Sequence, residues 1–141
     1  MFIHETKIRV GYADTDQMGY VHHSNYAKYY ETARWEAMRE LGINYKEMEE
    51  KGILMPVISM KFDFMKPAFF DDLLTVKTII KNLPKARMIF EYELYNDSSI
   101  LINTAEIILA FIREATRKPC VPPEYCLQPL KKYFLVNEFI K

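Results

Sequence analysis

The run ADTDQMGYVHHSNYAKYYETAR, residues 13–34, contains the change of pattern that decides the fold. Its first half carries polar groups, one glycine and no repeating apolar period. Residues 13–25 therefore read as a loop, and one dense in functional side chains. From Ser24 the spacing turns helical, with Tyr26, Tyr30, Ala33, Ala37 and Leu41 near one face. Ser24 or Asn25 can cap the start of this helix, and Gly42 stands just past its end. Asn44, with Glu47 three residues on, predicts a second, short helix that closes near Gly52.

Upstream of the loop, Phe2 to Tyr12 alternates apolar and charged residues and reads as a strand. Beyond Gly52 the pattern is β. In VISMKFDFMKP (57–67), Ile58, Met60, Phe62 and Phe64 alternate with Ser59, Lys61 and Asp63. Three more strands are predicted in LLTVKTIIKN (73–82), ARMIFEYELY (86–95) and ILINTAEIILAFIR (100–113). Asn96-Asp97-Ser98-Ser99 is a turn sequence, so the last two should form an antiparallel hairpin. The proline-rich tail from Lys118 is expected to pack as a short helix. One long helix against an antiparallel sheet of about five to six strands is an α+β layout, expected as a single domain over residues 1–141. Such a thin body leaves sheet edges open, and pairing two sheets edge to edge closes them, so a homodimer is expected.

Composition narrows the function. The chain has 141 residues, 50% hydrophobic and 27% charged, ordinary for a folded domain. Its 19 basic and 19 acidic residues cancel, which argues against a nucleic-acid partner. Aromatic residues make up 14%, so Tyr and Phe must line a core, an interface or a pocket. Cys120 and Cys126 are the only cysteines, and no Cys/His set has zinc-ligand spacing, so reduced thiols and no metal are expected. The start, MFIHETKIRV, lacks the apolar run of a signal peptide, and the longest apolar stretch, Ile107 to Ile112, is too short to span a bilayer. A cytoplasmic protein is expected.

Asp14 and Asp16 sit two apart, just before a glycine and a helix start. A helix N-terminus offers unpaired backbone N–H groups that can hold a polarised carbonyl oxygen and the oxyanion formed from it. A carboxylate across that carbonyl can attack it, or deprotonate a water that does. Gly19 would let the backbone turn between the two halves. Spacing alone does not favour this: a D-x-D pair caps turns more often, and His22 and His23 read equally as ordinary loop histidines.

The same run resembles the signature of the hotdog-fold acyl-CoA thioesterases, in the 4-hydroxybenzoyl-CoA thioesterase branch. Asp14, Asp16, Gly19, Val21, His23 and Tyr26 fall on that signature, followed by Glu31, Ala33 and Arg34. KPAFFDDLLTVKT (66–78) and Arg87 with Phe90 and Tyr92 resemble two further family segments, in the expected order. The resemblance implies a hotdog fold and hydrolysis of an acyl-CoA thioester, with no cofactor, since CoA belongs to the substrate. It implies Asp16 as nucleophile or general base, His23 as the residue whose backbone N–H polarises the carbonyl, and Gly19 as the point of close substrate approach. Asp14 becomes structural. A second hotdog branch uses an acid on the helix, but with Asp16 in the loop Glu31 reads as a structural or secondary polar contact. The family site lies at a dimer interface, which makes Tyr26 a candidate acyl contact and Ser59, Met60 and Phe62 candidates for a wall supplied by the partner's strand. Lys85, Arg87, Arg117 and Lys118 are available to meet CoA phosphates, with Arg87 preferred. A dimer is the minimum assembly, and a tetramer is in keeping with the family.

Two departures bear on local geometry. Asp71-Asp72 stands where the family often has glycine before the aspartate, and Ala115-Thr116-Arg117-Lys118-Pro119 stands for a Thr-Gly-Arg-Pro-like stretch without its glycine. Three readings compete with a CoA-ester hydrolase. The first is an acyl-carrier-protein thioesterase; the second is a non-catalytic acyl-CoA-binding dimer, against which Asp16 and Gly19 count. The third, a hotdog dehydratase, fits less well because those enzymes pair a His with a helix acid.

Overall fold

The computed structural model describes the backbone of residues 1–140 and the side chains of residues 1–134. In chain order it contains β1 (Phe2–Arg9), a 3-10 turn (Tyr12–Asp14), α1 (Asn25–Glu40), α2 (Tyr45–Glu50), β2 (Ile53–Leu54), β3 (Val57–Phe64), β4 (Leu73–Ile80), β5 (Arg87–Tyr95), β6 (Leu101–Ala110), β7 (Ile112–Arg113) and α3 (Glu124–Ile140). Five strands form one antiparallel sheet in the order β1-β4-β5-β6-β3, and β2 pairs with β7 in a separate ribbon. α1 lies across the inner face of the sheet. This is the α+β hotdog arrangement.

The helical period of α1 explains its seat. Tyr26, Tyr30, Ala33 and Ala37 are all buried, and the two alanines let the helix axis come close to the sheet. Strand β5 alternates in the same sense: Met88, Phe90, Tyr92 and Leu94 face inward, while Glu91 and Glu93 face out. Burying a side chain as large as Tyr30 or Phe90 is worth about 2–3 kcal/mol, so these residues fix the helix on the sheet. The β5–β6 hairpin turns at Asn96–Ser99 as expected, with Asn96 Oδ1 accepting from Ser98 N–H at 2.9 Å and Ile100 N–H at 3.1 Å. Asn44 Oδ1 caps α2 by accepting from Glu47 N–H at 3.3 Å. Ser24 stands at the N-cap of α1 but makes no side-chain cap bond. Its hydroxyl is taken by His22 Nδ1 at 2.8 Å.

The C-terminal segment departs from the short helix expected of a proline-rich tail. α3 runs for 17 residues with Pro129 inside it. Tertiary contacts offset the missing N–H. Cys126 and Leu130 are buried in the core, the Tyr133 ring meets Phe2 edge-on at 4.9 Å, and the N-terminal ammonium donates to Tyr133 O at 2.9 Å. Burial pushes the Cys126 thiol up to about 11, so it stays protonated at neutral pH.

The two departures from glycine both fall at left-handed backbone positions: Asp71 has φ 68° and Arg117 φ 58°. The turns are therefore kept and the side chains absorb the strain. Aspartate tolerates this region and arginine does so less well. We expect Arg117→Gly to raise unfolding stability by about 0.5–1 kcal/mol in urea titration. Asp71→Gly should be close to neutral.

Candidate active site

The loop from Gly11 to Tyr26 is held at three points. The first is Asp14, buried at 8% exposure. Its carboxylate accepts from Tyr29 OH at 2.7 Å, Lys28 Nζ at 2.5 Å and Gly11 N–H at 3.3 Å. Its backbone carbonyl accepts from His22 N–H and from Asn25 Nδ2, both at 2.8 Å. Burial raises the Asp14 carboxyl, but the bonds from Lys28, Tyr29 and Gly11 outweigh it and leave the group below its ordinary range. Tyr29 moves the other way: burial and the adjoining Asp14 charge push its hydroxyl far up, so it remains a donor.

The second point lies within the loop itself. Asp16 N–H donates to Tyr20 O at 2.8 Å, and Gly19 N–H donates to Asp16 O at 3.0 Å. Closing five residues this tightly requires a left-handed residue, and Gly19 supplies φ 82°. The turn fixes the Asp16 side chain, since Oδ1 accepts from Met18 N–H at 2.9 Å and Tyr20 N–H at 3.3 Å. Asp16 Oδ2 has no protein partner among the described residues.

The third point joins the loop to the segment after β3. Val21 N–H donates to Ala68 O at 2.8 Å, and Tyr20 bridges Phe69, with the two rings edge-on at 5.4 Å. Beside this junction opens a cleft of about 250 Å³, walled by Tyr20, Val21, His23, Tyr26, Phe64, Met65, Lys66 and Pro67. Tyr26 and Phe64 meet edge-on at 5.2 Å and form its aromatic side. His23 stands at the entry to α1, and its backbone N–H finds no acceptor among the described residues. The neighbouring N–H groups of His22, Ser24, Asn25 and Tyr26 are all bonded.

The sequence-predicted residues thus divide. Asp16, Gly19 and His23 share one pinned loop, and His23 and Tyr26 reach the cleft. Ser59 and Met60 are exposed along β3, outside the cleft of their own chain, and Phe62 stacks on Tyr30 at 5.9 Å. Arg87 opens on a different cleft, together with Lys81, Glu91 and Glu106. Glu31 lies on the exposed side of α1. Sequence reasoning missed Tyr20, Phe64, Met65 and Lys66. Their sequence signal is the Tyr20–Gly19 pair and the Pro67 that ends β3, but only tertiary pairing brings the two segments together. No group of three or more potential metal ligands clusters among the described residues.

A family model for the thioesterase superfamily matches residues 18–102. The chain belongs to that superfamily. The acyl-CoA thioesterase YbgC of Helicobacter pylori is 32% identical over 126 residues, 84% of this chain and 92% of that protein. The acyl-CoA thioester hydrolase YbgC of Escherichia coli is 28% identical over 125 residues, covering 89% and 93%. Among solved structures, a DHNA-CoA thioesterase from Staphylococcus aureus superposes with a TM-score of 0.91 at 32% identity, over 100% of this chain and 97% of that one. The enzyme class of the chain is thioester hydrolase.

The Asp14 anchor has a pH signature. A carboxyl held below its unfolded value of about 3.8 contributes stability that is complete above that value and is lost as pH falls through the folded value. Asp14→Asn should lower stability at neutral pH by about 1–3 kcal/mol, the cost of weakening a buried network. The gap to wild type should narrow below about pH 4, as read by thermal unfolding across pH 2–7.

Proposed function

We propose that this protein hydrolyses acyl-CoA thioesters with Asp16 as the reacting carboxylate and the His23 backbone N–H as the oxyanion donor. One observation carries the reading: a single pinned loop holds both an uncommitted carboxylate oxygen, on Asp16, and an uncommitted N–H, on His23, and His23 lines an apolar cleft. The acyl group lies in the cleft, and the thioester oxygen points at His23 N–H. A fixed donor of this kind is worth about 3–4 kcal/mol as negative charge builds on that oxygen. Asp16 Oδ2 then attacks the carbonyl carbon, or takes a proton from the water that attacks. In the first course the C–S bond breaks as a mixed anhydride forms on Asp16, and a water then hydrolyses that anhydride. In the second the water adds to the carbonyl and the C–S bond breaks directly. In both the thiolate leaves and takes up a proton while a carboxylic acid is released. A cleft of about 250 Å³ suits small and medium acyl groups.

The site reads as half of a pair. β3 is an edge strand whose Val57, Ile58, Met60 and Phe64 are 41–54% exposed, an unusual density of apolar surface on an open edge. Pairing with the same edge of a second copy would cover it and bring the partner's strand, with Ser59, Met60 and Phe62, toward the cleft. A dimer is the smallest assembly this requires, and a tetramer of paired dimers is compatible with it.

Two measurements test the proposal. Asp16→Asn should lower kcat on acyl-CoA esters at least about a hundredfold, whereas His23→Ala, which keeps the backbone donor, should act mainly on KM. Equal turnover in Asp16→Asn would move the chemistry elsewhere, with Glu31 the next residue to replace. Activity confined to acyl-carrier-protein esters, or tight acyl-CoA binding with no hydrolysis, would replace the reading with one of those alternatives. Met60→Arg should shift the protein toward monomer in analytical ultracentrifugation and lower activity in parallel.

A further inference from the structure

Anion recognition was expected at Arg87, but its surroundings do not suit it. Arg87 shares its cleft with Glu91 and Glu106, and the Lys81 ammonium beside it is already paired with Glu91 at 3.2 Å. The catalytic cleft has the opposite character. Among its described lining residues there is no carboxylate, and the one permanent charge is Lys66. Lys66 makes no ion pair, side-chain hydrogen bond or cation–π contact among the described residues.

The backbone beneath this lysine is fixed. Met65 and Lys66 N–H both donate to Ile102 O, at 3.0 and 3.1 Å, where β3 leaves the sheet. Pro67 restricts Lys66 to an extended conformation. One residue beyond, Ala68 O accepts from Val21 N–H of the catalytic loop at 2.8 Å. Lys66 thus rises from a rigid junction shared with the reacting loop and lines the same cleft as Tyr20, Tyr26 and Phe64. An exposed ammonium with no counterion of its own favours a ligand that brings an oxyanion to it.

We infer that Lys66 is a specificity-determining residue that receives an oxyanion of the substrate, either a carboxylate on the acyl group or a phosphate of the CoA arm. The inference rests on the cleft being the substrate site of the thioesterase proposed above. It shifts the charge that selects substrate from the sheet surface to the rim of the reacting loop.

The test compares wild type, Lys66→Met and Lys66→Arg on glutaryl and pentanoyl thioesters, each carried on CoA and on pantetheine. The two acyl chains have the same length and differ in the terminal carboxylate, and pantetheine lacks the nucleotide phosphates. An acyl carboxylate at Lys66 predicts that the glutaryl-to-pentanoyl ratio of kcat/KM falls at least about tenfold in Lys66→Met on both carriers, the size of one charge-assisted hydrogen bond. A CoA phosphate predicts the same fall in the CoA-to-pantetheine ratio for both acyl groups. Lys66→Arg should restore whichever ratio falls. Both ratios staying within about twofold of wild type would overturn the inference. Dissociation constants of the matching non-hydrolysable thioethers give the same ratios without turnover. An inactive wild type would therefore sink the hydrolase reading while the role of Lys66 was still judged.

Discussion

The buried carboxylate of Asp14 is the constraint on which the rest of the site depends. It is nearly sealed from water, and its charge is met by Tyr29 OH, Lys28 Nζ and Gly11 N–H, while its carbonyl holds His22 and Asn25. These bonds tie the end of β1, the loop and the first turn of α1 into one unit. Asp16 and His23 then need no order of their own, because each is within a few residues of a fixed point. Removing one partner would leave a buried charge or hydroxyl unmatched, which costs more than the bond itself contributes. The first aspartate of the pair thus organises the loop, and the second keeps one carboxylate oxygen without a partner among the described residues.

The sheet makes the second contribution. Its strand order leaves β3 at an edge, beside the junction that carries the cleft. The same strand ends at Phe64 and runs into Met65 and Lys66, so apolar edge, cleft wall and rim charge are consecutive in sequence. The opposite face carries Glu91, Glu93 and Glu106, charged residues in keeping with a solvated surface. The cleft and the exposed apolar edge therefore lie together along β3 and the residues that follow it.

Much of this was legible in the sequence. The period of α1, the alternation of β5, the turn at Asn96–Ser99 and the cap at Asn44 are local signals, and the structure follows them. Strand β3 forms where expected but is exposed on both faces along nearly its whole length. Other features depend on tertiary contacts. α3 extends through Pro129 because Cys126, Leu130 and Tyr133 dock on the core, which a proline-rich stretch does not announce. Arg34 matched the family run, yet its burial between the Trp35 and Phe90 rings, at 5.4 and 5.8 Å, with one bond to Tyr92 OH at 3.1 Å, could not be read from it. Burial pushes the Tyr92 hydroxyl up to about 12, with the Arg34 charge acting against that. The cleft itself joins residues 20–26 to residues 64–67, a contact that no local pattern records.

The most direct test of the account is a crystal structure of Asp16→Asn with an intact acyl-CoA bound. The account predicts the thioester oxygen about 2.7–3.1 Å from His23 N, with the residue 16 side chain on the other side of the carbonyl and the acyl group between Tyr26 and Phe64. A thioester bound away from His23, with its carbonyl held by other donors, would contradict it.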